Sequence, residues 1–253
     1  MRSLGRVWPP TLLLLAAVGL WELVVRAAHV DEYLFPAPSA VARSLGSDAG
    51  MLGDATWITL REVLLGYALS LALGLALAVV LHLSATLRRA LLPLLVLSQT
   101  VPTVVLAPIL AILLGFGIGP KLVVVAIVCF FPVVVNGVDG LRSTDAELVR
   151  MMRTLDASRL DVFRRVELPG ALPAAFSGAR IAATYAAIGA VFGEWAGSSG
   201  GLGWLITQSQ SSFDTPRIFA AVLVLSAIAL GLYGVVNLAE RLLCPWRREV
   251  AAG

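Results

Sequence analysis

The chain has 253 residues, of which 58% are hydrophobic and only 14% charged, with a mean hydropathy of +0.89. Soluble globular domains carry about a quarter charged residues, so this composition excludes one and points to an all-α polytopic membrane protein. The formal charge of +3 is too small and too scattered for nucleic-acid binding, and no nucleic acid is expected as a partner.

The first apolar stretch, 7–25, follows Arg2 and Arg6 and has the outline of a signal peptide. It runs past any plausible cleavage point, and "VRAAHV" is a poor small-residue site, so it reads as a retained first span. Residues 28–56 then hold a Pro/Ala/Ser turn and a short surface helix from Ser39 onward. Further apolar runs cover 63–83, 91–116, 122–138, 181–193 and 218–239. About 20 helical residues cross a hydrocarbon core, so the runs ending at Leu83, Phe116 and Ala239 suffice alone. The runs 122–138 and 181–193 need flanking residues to complete the crossing. The run 91–116 is long enough to tilt or kink and carries Pro93, Pro102 and Pro108. The segment 195–217 is glycine-rich and then weakly amphipathic, with Trp195 and Trp204 suited to a membrane interface.

Orientation follows from the basic residues. Arg2 and Arg6, Arg88 and Arg89, the group Arg142, Arg150, Arg153, Arg159, Arg164, Arg165 and Arg180, and finally Arg241, Arg247 and Arg248 fall in alternate loops. The other loops hold Arg26, Arg43, Arg61, Lys121 and Arg217, diluted by neighbouring acids. The positive-inside rule therefore predicts six transmembrane helices with both termini cytoplasmic. The expected division is an N-terminal span with an external segment over 1–55, a transmembrane domain over 56–240 with a cytoplasmic loop at 139–180, and a tail over 241–253. Cys129 and Cys244 read as buried or interfacial hydrophobes, and the isolated His29 and His82 offer no metal-ligand spacing.

The longest polar element lies between the fourth and fifth runs. Thr144 with Glu147 fits a capping box, and Val149, Met152 and Leu155 then recur at helical spacing. After a break at Asp156–Ala157, Ser158 with Asp161 offers a second cap, followed by Leu160, Phe163 and Val166 on one face. Pro169 and Pro173 are expected to limit that second helix. Such a pair of amphipathic helices can lie on anionic lipid or dock into a groove on a partner, and periodicity does not separate the two.

The stretch "LDASRLDVFRRVELPGALPAAFSGARIA" resembles the EAA loop of permeases from ATP-binding-cassette importers. Aligning on Val166-Glu167-Leu168-Pro169 puts Asp156 where that motif has glycine, and Arg150-Met151-Met152 where it has Glu-Ala-Ala. "FPAPSAV", "QTVPTVVLAPILAILLGFGIGPK", "CFFPVVVNGVDGLRS" and "GEWAGSSGGLGWLI" extend the similarity. Together they look like the nitrate, sulfonate and taurine group of such permeases, with a flavour nearest to members handling pyrimidine, thiamine-precursor or flavin-like compounds.

The resemblance implies a type I importer permease fold in a prokaryotic plasma membrane. It also implies a non-enzymatic transport subunit, with ATP and Mg2+ bound by a separate ATPase. A second permease copy, an external solute-binding protein and membrane lipid complete the expected partners. No Walker A sequence is present: "GFGIGPK" has glycines and a lysine but not the required order. By this resemblance the coupling helix contacts the ATPase through Leu155, Ala157, Leu160 and Phe163, rimmed by Arg159 and Arg164, with Asp156 and Ser158 at the break and Val166, Leu168 and Pro169 as the motif tail. Polar residues within spans are costly against lipid, so Ser98, Gln99, Thr100, Thr103, Asn136, Thr184, Tyr185 and Glu194 are candidates for the solute path. Interhelical hydrogen bonding explains the same residue types. Glu194 reads as a carboxylate that reaches water at the outer end of a short span, as an ion-paired latch, or as part of a gate. A secondary transporter would need intramembrane charge pairs or internal repeats, neither of which is evident. An intramembrane enzyme would need a catalytic constellation that the sequence lacks.

Overall fold

The computed structural model describes residues 4–246, with side chains from Thr11 onward. Of the arginines that set the expected orientation, Arg2, Arg247 and Arg248 lie outside the described residues, as does the side chain of Arg6. Within a bilayer each backbone N–H and C=O must be paired inside its own segment, so the apolar runs fold as helices. No strand occurs among the described residues.

In chain order the helices are α1 (Leu4–Ala27), α2 (Pro38–Ser47), α3 (Ala49–Leu83), α4 (Ala85–Ser98), α5 (Thr103–Leu114) and α6 (Ile118–Arg142). Then follow α7 (Ala146–Thr154), α8 (Arg159–Val162), α9 (Leu168–Trp195), α10 (Leu202–Ser211) and α11 (Thr215–Leu243). Among the described residues, α3, α6, α11 and the continuous rod Arg159–Trp195 are long and apolar enough to cross a membrane. The pair α4 and α5 adds a fifth if it counts as one broken span.

The run 91–116, expected as a single span, is instead two helices bent by 98° across Gln99–Pro102. Pro102 has no N–H to offer the Ser98 carbonyl, and its ring clashes with the preceding turn, so α4 stops there. The Ser98 and Thr100 hydroxyls turn back onto the carbonyls of Leu95 and Leu97, at 2.7 and 2.8 Å.

Pro169 and Pro173 act in the opposite way to expectation. The chain passes from α8 through one π-helical turn, Phe163–Glu167, directly into α9, which contains both prolines. In that turn the Leu168 N–H reaches back to the Phe163 carbonyl. The widened turn makes room for a ring that brings no donor, so the helix swells rather than ends. Arg180, expected in the loop, consequently lies inside α9.

The core is built around α9. Its buried face is almost entirely small: Gly178, Ala179, Ala182, Ala183, Ala186, Gly189, Ala190 and Gly193. Between helices in lipid, close backbone approach supplies the packing energy that water would otherwise supply, and small residues permit it. A methyl group on Gly178 would lie 2.6 Å from the Pro132 carbonyl oxygen, and one on Gly189 would lie 2.9 Å from Val125 Cα. Thus α6 fits along the face of α9, and α3 lies against α6. The Tyr67 hydroxyl donates to the Ala179 carbonyl at 2.9 Å, and Cys129 Sγ donates to the Ala182 carbonyl at 3.2 Å. By contrast, α4 buries no residue and α5 only Ala107 and Ala111.

Candidate functional site

The residues singled out in the sequence fall mainly in two regions: a polar arm between α6 and α9, and a cleft beside the α4–α5 bend. In the arm, Asp145 rather than Thr144 caps α7: it accepts the Glu147 N–H at 2.8 Å, while the Thr144 hydroxyl donates to the Leu141 carbonyl at 3.3 Å. α7 closes with paired bonds, Asp156 N–H to the Arg153 carbonyl at 3.1 Å and Ala157 N–H to the Met152 carbonyl at 3.1 Å. This motif calls for a left-handed residue just past the helix end, usually glycine, and Asp156 supplies it with φ of +56°. Asp156 therefore forms the break itself, and Ser158 caps the next helix, accepting the Asp161 N–H at 3.2 Å.

The tip is apolar and open. Leu155 is 70% exposed and Leu160 is 55% exposed, with Arg159 and Arg164 exposed around them. Ala157 and Val166 are half-buried, and the anchor of α8 is Val162, buried against the body. Phe163 is also half-buried, its ring 6.3 Å from that of His82. His82, isolated in sequence, meets Glu167 of the motif tail at 2.9 Å. Arg159 donates to the Leu83 carbonyl at 3.4 Å, so the arm is attached to the end of α3 at two points. Leu168 is partly exposed, and Pro169 sits in the first turn of α9.

The cleft, about 630 Å³, lies between the α4–α5 bend, α6 and α9. Ser98, Gln99, Thr103, Asn136 and Tyr185 line it together with Phe131 and Phe192, and none of its lining residues is charged. Five of the candidate path residues thus converge on one space. Thr100 and Thr184 do not line it; the Thr184 hydroxyl is engaged with the Ile181 carbonyl at 2.7 Å.

Glu194 also lies away from the cleft. It is 1% exposed, which keeps it from water, and among the described residues no cation pairs with it. Its carboxylate receives the Thr59 hydroxyl at 2.6 Å and the Gly203 and Trp204 N–H groups at 2.5 and 3.2 Å, at the positive end of α10. Beside it, Lys121 donates to Glu62 and to Ser198, each at 2.7 Å. Arg180 of α9 pairs with Glu240 of α11. Buried charge pairs between spans therefore exist, contrary to the reading of the sequence. Their partners lie 59 and 60 residues apart, and no local pattern marks them.

The family model for the inner-membrane component of binding-protein-dependent transport systems matches residues 40–249. This chain belongs to that family. It is an ATP-binding-cassette importer permease subunit. The riboflavin transport permease RibX of Chloroflexus aurantiacus is 37% identical, over 97% of this chain and 94% of that one. The formylaminopyrimidine transport permease ThiX of Halalkalibacterium halodurans is 35% identical, over 95% and 96%. The aliphatic sulfonate permease SsuC of Bacillus subtilis is 29% identical, over 96% and 89%. A chain of the inward-facing MetNI methionine transporter shares the fold, with a TM-score of 0.68 and 18% identity over 78% of this chain and 98% of that one. The permease is thus a multi-pass membrane protein of the importer class, and its family implies ATPase and binding-protein partners.

Proposed function

We propose that this permease takes a small solute from an external binding protein through the cleft at the α4–α5 bend, driven by an ATPase docked on the α7–α8 arm. ATP and Mg2+ are bound by that ATPase. Six spans with both termini in the cytoplasm, a second copy completing the path, and the division 1–55, 56–240 and 241–253 belong to the same proposal. The carrying observation is the open tip: two leucines held out among arginines on a rigid turn cost solvation unless a partner groove covers them. Leu155, Asp156, Ala157, Ser158, Arg159, Leu160, Phe163 and Arg164 form that contact, with Val166, Leu168 and Pro169 joining it to α9.

The solute we favour is a neutral heterocycle of pyrimidine, thiamine-precursor or flavin type. The cleft presents Phe131, Tyr185 and Phe192 for stacking, with Gln99, Thr103 and Asn136 for hydrogen bonds. An anionic sulfonate, taurine or nitrate would find no cation there, although the likeness to SsuC keeps that reading as the alternative.

The test uses Leu160→Asp. This side chain is already exposed, so the variant should insert and melt within about 0.5 kcal/mol of the parent. It should nevertheless lose the ATPase subunit on copurification and with it uptake. Normal uptake by this variant would remove the arm from the coupling path. Phe163→Asp is a poorer probe, because its half-buried ring packs beside His82.

A further inference from the structure

We propose that the cleft between α7 and the ends of α3, α4 and α6 is a binding site for a phosphate-bearing ligand. The cleft measures about 540 Å³ and is lined by Arg88 of α4, Arg142 of α6, and Arg150 and Arg153 of α7, with His82 and Glu167 on its wall. Its size is that of a small-molecule pocket, larger than a single inorganic ion needs.

The side-chain pairing is the decisive feature. Arg180 and Arg217 have carboxylate partners within the protein. Among the described residues, none of the four cleft arginines does. Arg150 Nε donates to the Ala146 carbonyl of its own helix at 3.3 Å, and Arg88 reaches the Leu81 carbonyl at 3.5 Å. Glu167 is the single acid on the wall, and His82 already engages it at 2.9 Å. Four like charges gathered in one concavity repel one another unless an anion enters, and a planar guanidinium matches phosphate oxygens two at a time. Arginines merely flanking spans satisfy the positive-inside rule wherever they point; these converge from three helices. Arg150, moreover, stands where the motif has glutamate, so this chain replaces an acid by a fourth base at the rim.

Such a ligand bridges α7 to α4 and α6, and so ties the arm to the transmembrane body beside the segment proposed to meet the ATPase. The source of the phosphate rests on the orientation proposed above. On the cytoplasmic side it is either the headgroup of an anionic lipid or a soluble phosphorylated compound.

The experiment uses the full-length permease in neutral detergent at constant ionic strength. The soluble probe is inorganic pyrophosphate, read as a saturable rise in melting temperature. The lipid probe is phosphatidylglycerol, with phosphatidylcholine as the uncharged control, read as retained lipid by native mass spectrometry. Saturation by pyrophosphate without lipid retention identifies a soluble source. Selective retention of phosphatidylglycerol without a pyrophosphate effect identifies the lipid. In either case the double variant R150Q/R153Q, at exposed positions, should weaken binding by about tenfold or more while its ligand-free melt is unchanged. R142Q should weaken it independently. The proposal is overturned if neither probe binds, or if both bind the variants as they bind the parent. It is equally overturned if R150Q/R153Q loses the ATPase subunit with both probes unaffected, since the cleft would then serve protein carboxylates. Copurification alone reports on the coupling arm, so failure of that reading is separately visible.

Discussion

Asp156 and Glu62 show how single residues carry cost in this protein. Asp156 holds a left-handed conformation that Asp tolerates less well than Gly, and the arm's turn depends on it. Asp156→Gly should stabilise the turn by about 0.5–1 kcal/mol. The expected readout is slower hydrogen exchange at the Ala157 amide, whose bond to Met152 closes the motif; unchanged exchange would mean the native turn is unstrained. Glu62 is the opposite case. It is 2% exposed and holds the ammonium of Lys121, itself largely buried. Removing one member of a buried pair leaves the other charged without compensation. Glu62→Gln is therefore expected to destabilise by about 3–5 kcal/mol. Adding Lys121→Met should restore most of that loss in a thermal melt, because the pair itself is near break-even against apolar packing.

At the scale of elements, the junction of α2 and α3 is fastened to α11 by one bidentate contact. Asp48 accepts from Arg217 at 3.0 and 3.2 Å and from the Ser44 hydroxyl at 2.8 Å. The Arg217 hydrogen bonds hold the Asp48 carboxyl below its ordinary value, outweighing the opposing effect of burial. Its folded value is depressed, so its contribution is complete above the ordinary Asp value of about 3.9 and disappears as pH falls through the folded one. The melting temperature should fall on acidification below about pH 4, and Asp48→Asn should flatten that part of the profile. A profile identical in the variant would assign the acid sensitivity elsewhere. The elements differ in how far the sequence announces them. Pro38, at the first position of α2, and Ser158, the cap of α8, mark helix starts because prolines and caps act within a few residues. Pro102 and Pro169 carry the same chemistry, yet one ends a helix and the other is absorbed by a π-turn. The residue type alone does not tell these two outcomes apart. The arm was legible through its motif, and the polarity of Ser98, Gln99, Thr103, Asn136 and Tyr185 singled out residues that line one cleft. The polar knot of Thr59, Glu62, Lys121 and Glu194 was not legible as a unit, although Glu194 stood out alone, because its members come from α3, α6 and α9 and meet only in three dimensions.

For the whole molecule, the question is which parts move as one. α8 continues through the π-turn into α9 without a break, so displacement of the arm is carried directly to the helix that bears Tyr185 at the cleft. That helix is joined to α6 by close small-residue packing and to α11 by Arg180 and Glu240. These three pack as one body. The bent pair α4–α5 has few buried residues and borders the cleft through Ser98, Gln99 and Thr103. Access to the cleft should therefore change by motion of the body against the bend, since packed helices shift between discrete arrangements rather than deform. In a variant with both Cys129 and Cys244 replaced by Ala, Gln99→Cys should react with a membrane-impermeant thiol reagent at rates differing by about an order of magnitude between nucleotide-free and ATP-trapped complexes. Ala186→Cys, at a position with no exposure in the core of α9, should stay unlabelled in both states. Equal labelling of Gln99→Cys in the two states would take the bend out of the access change and leave the rod to act elsewhere along its length.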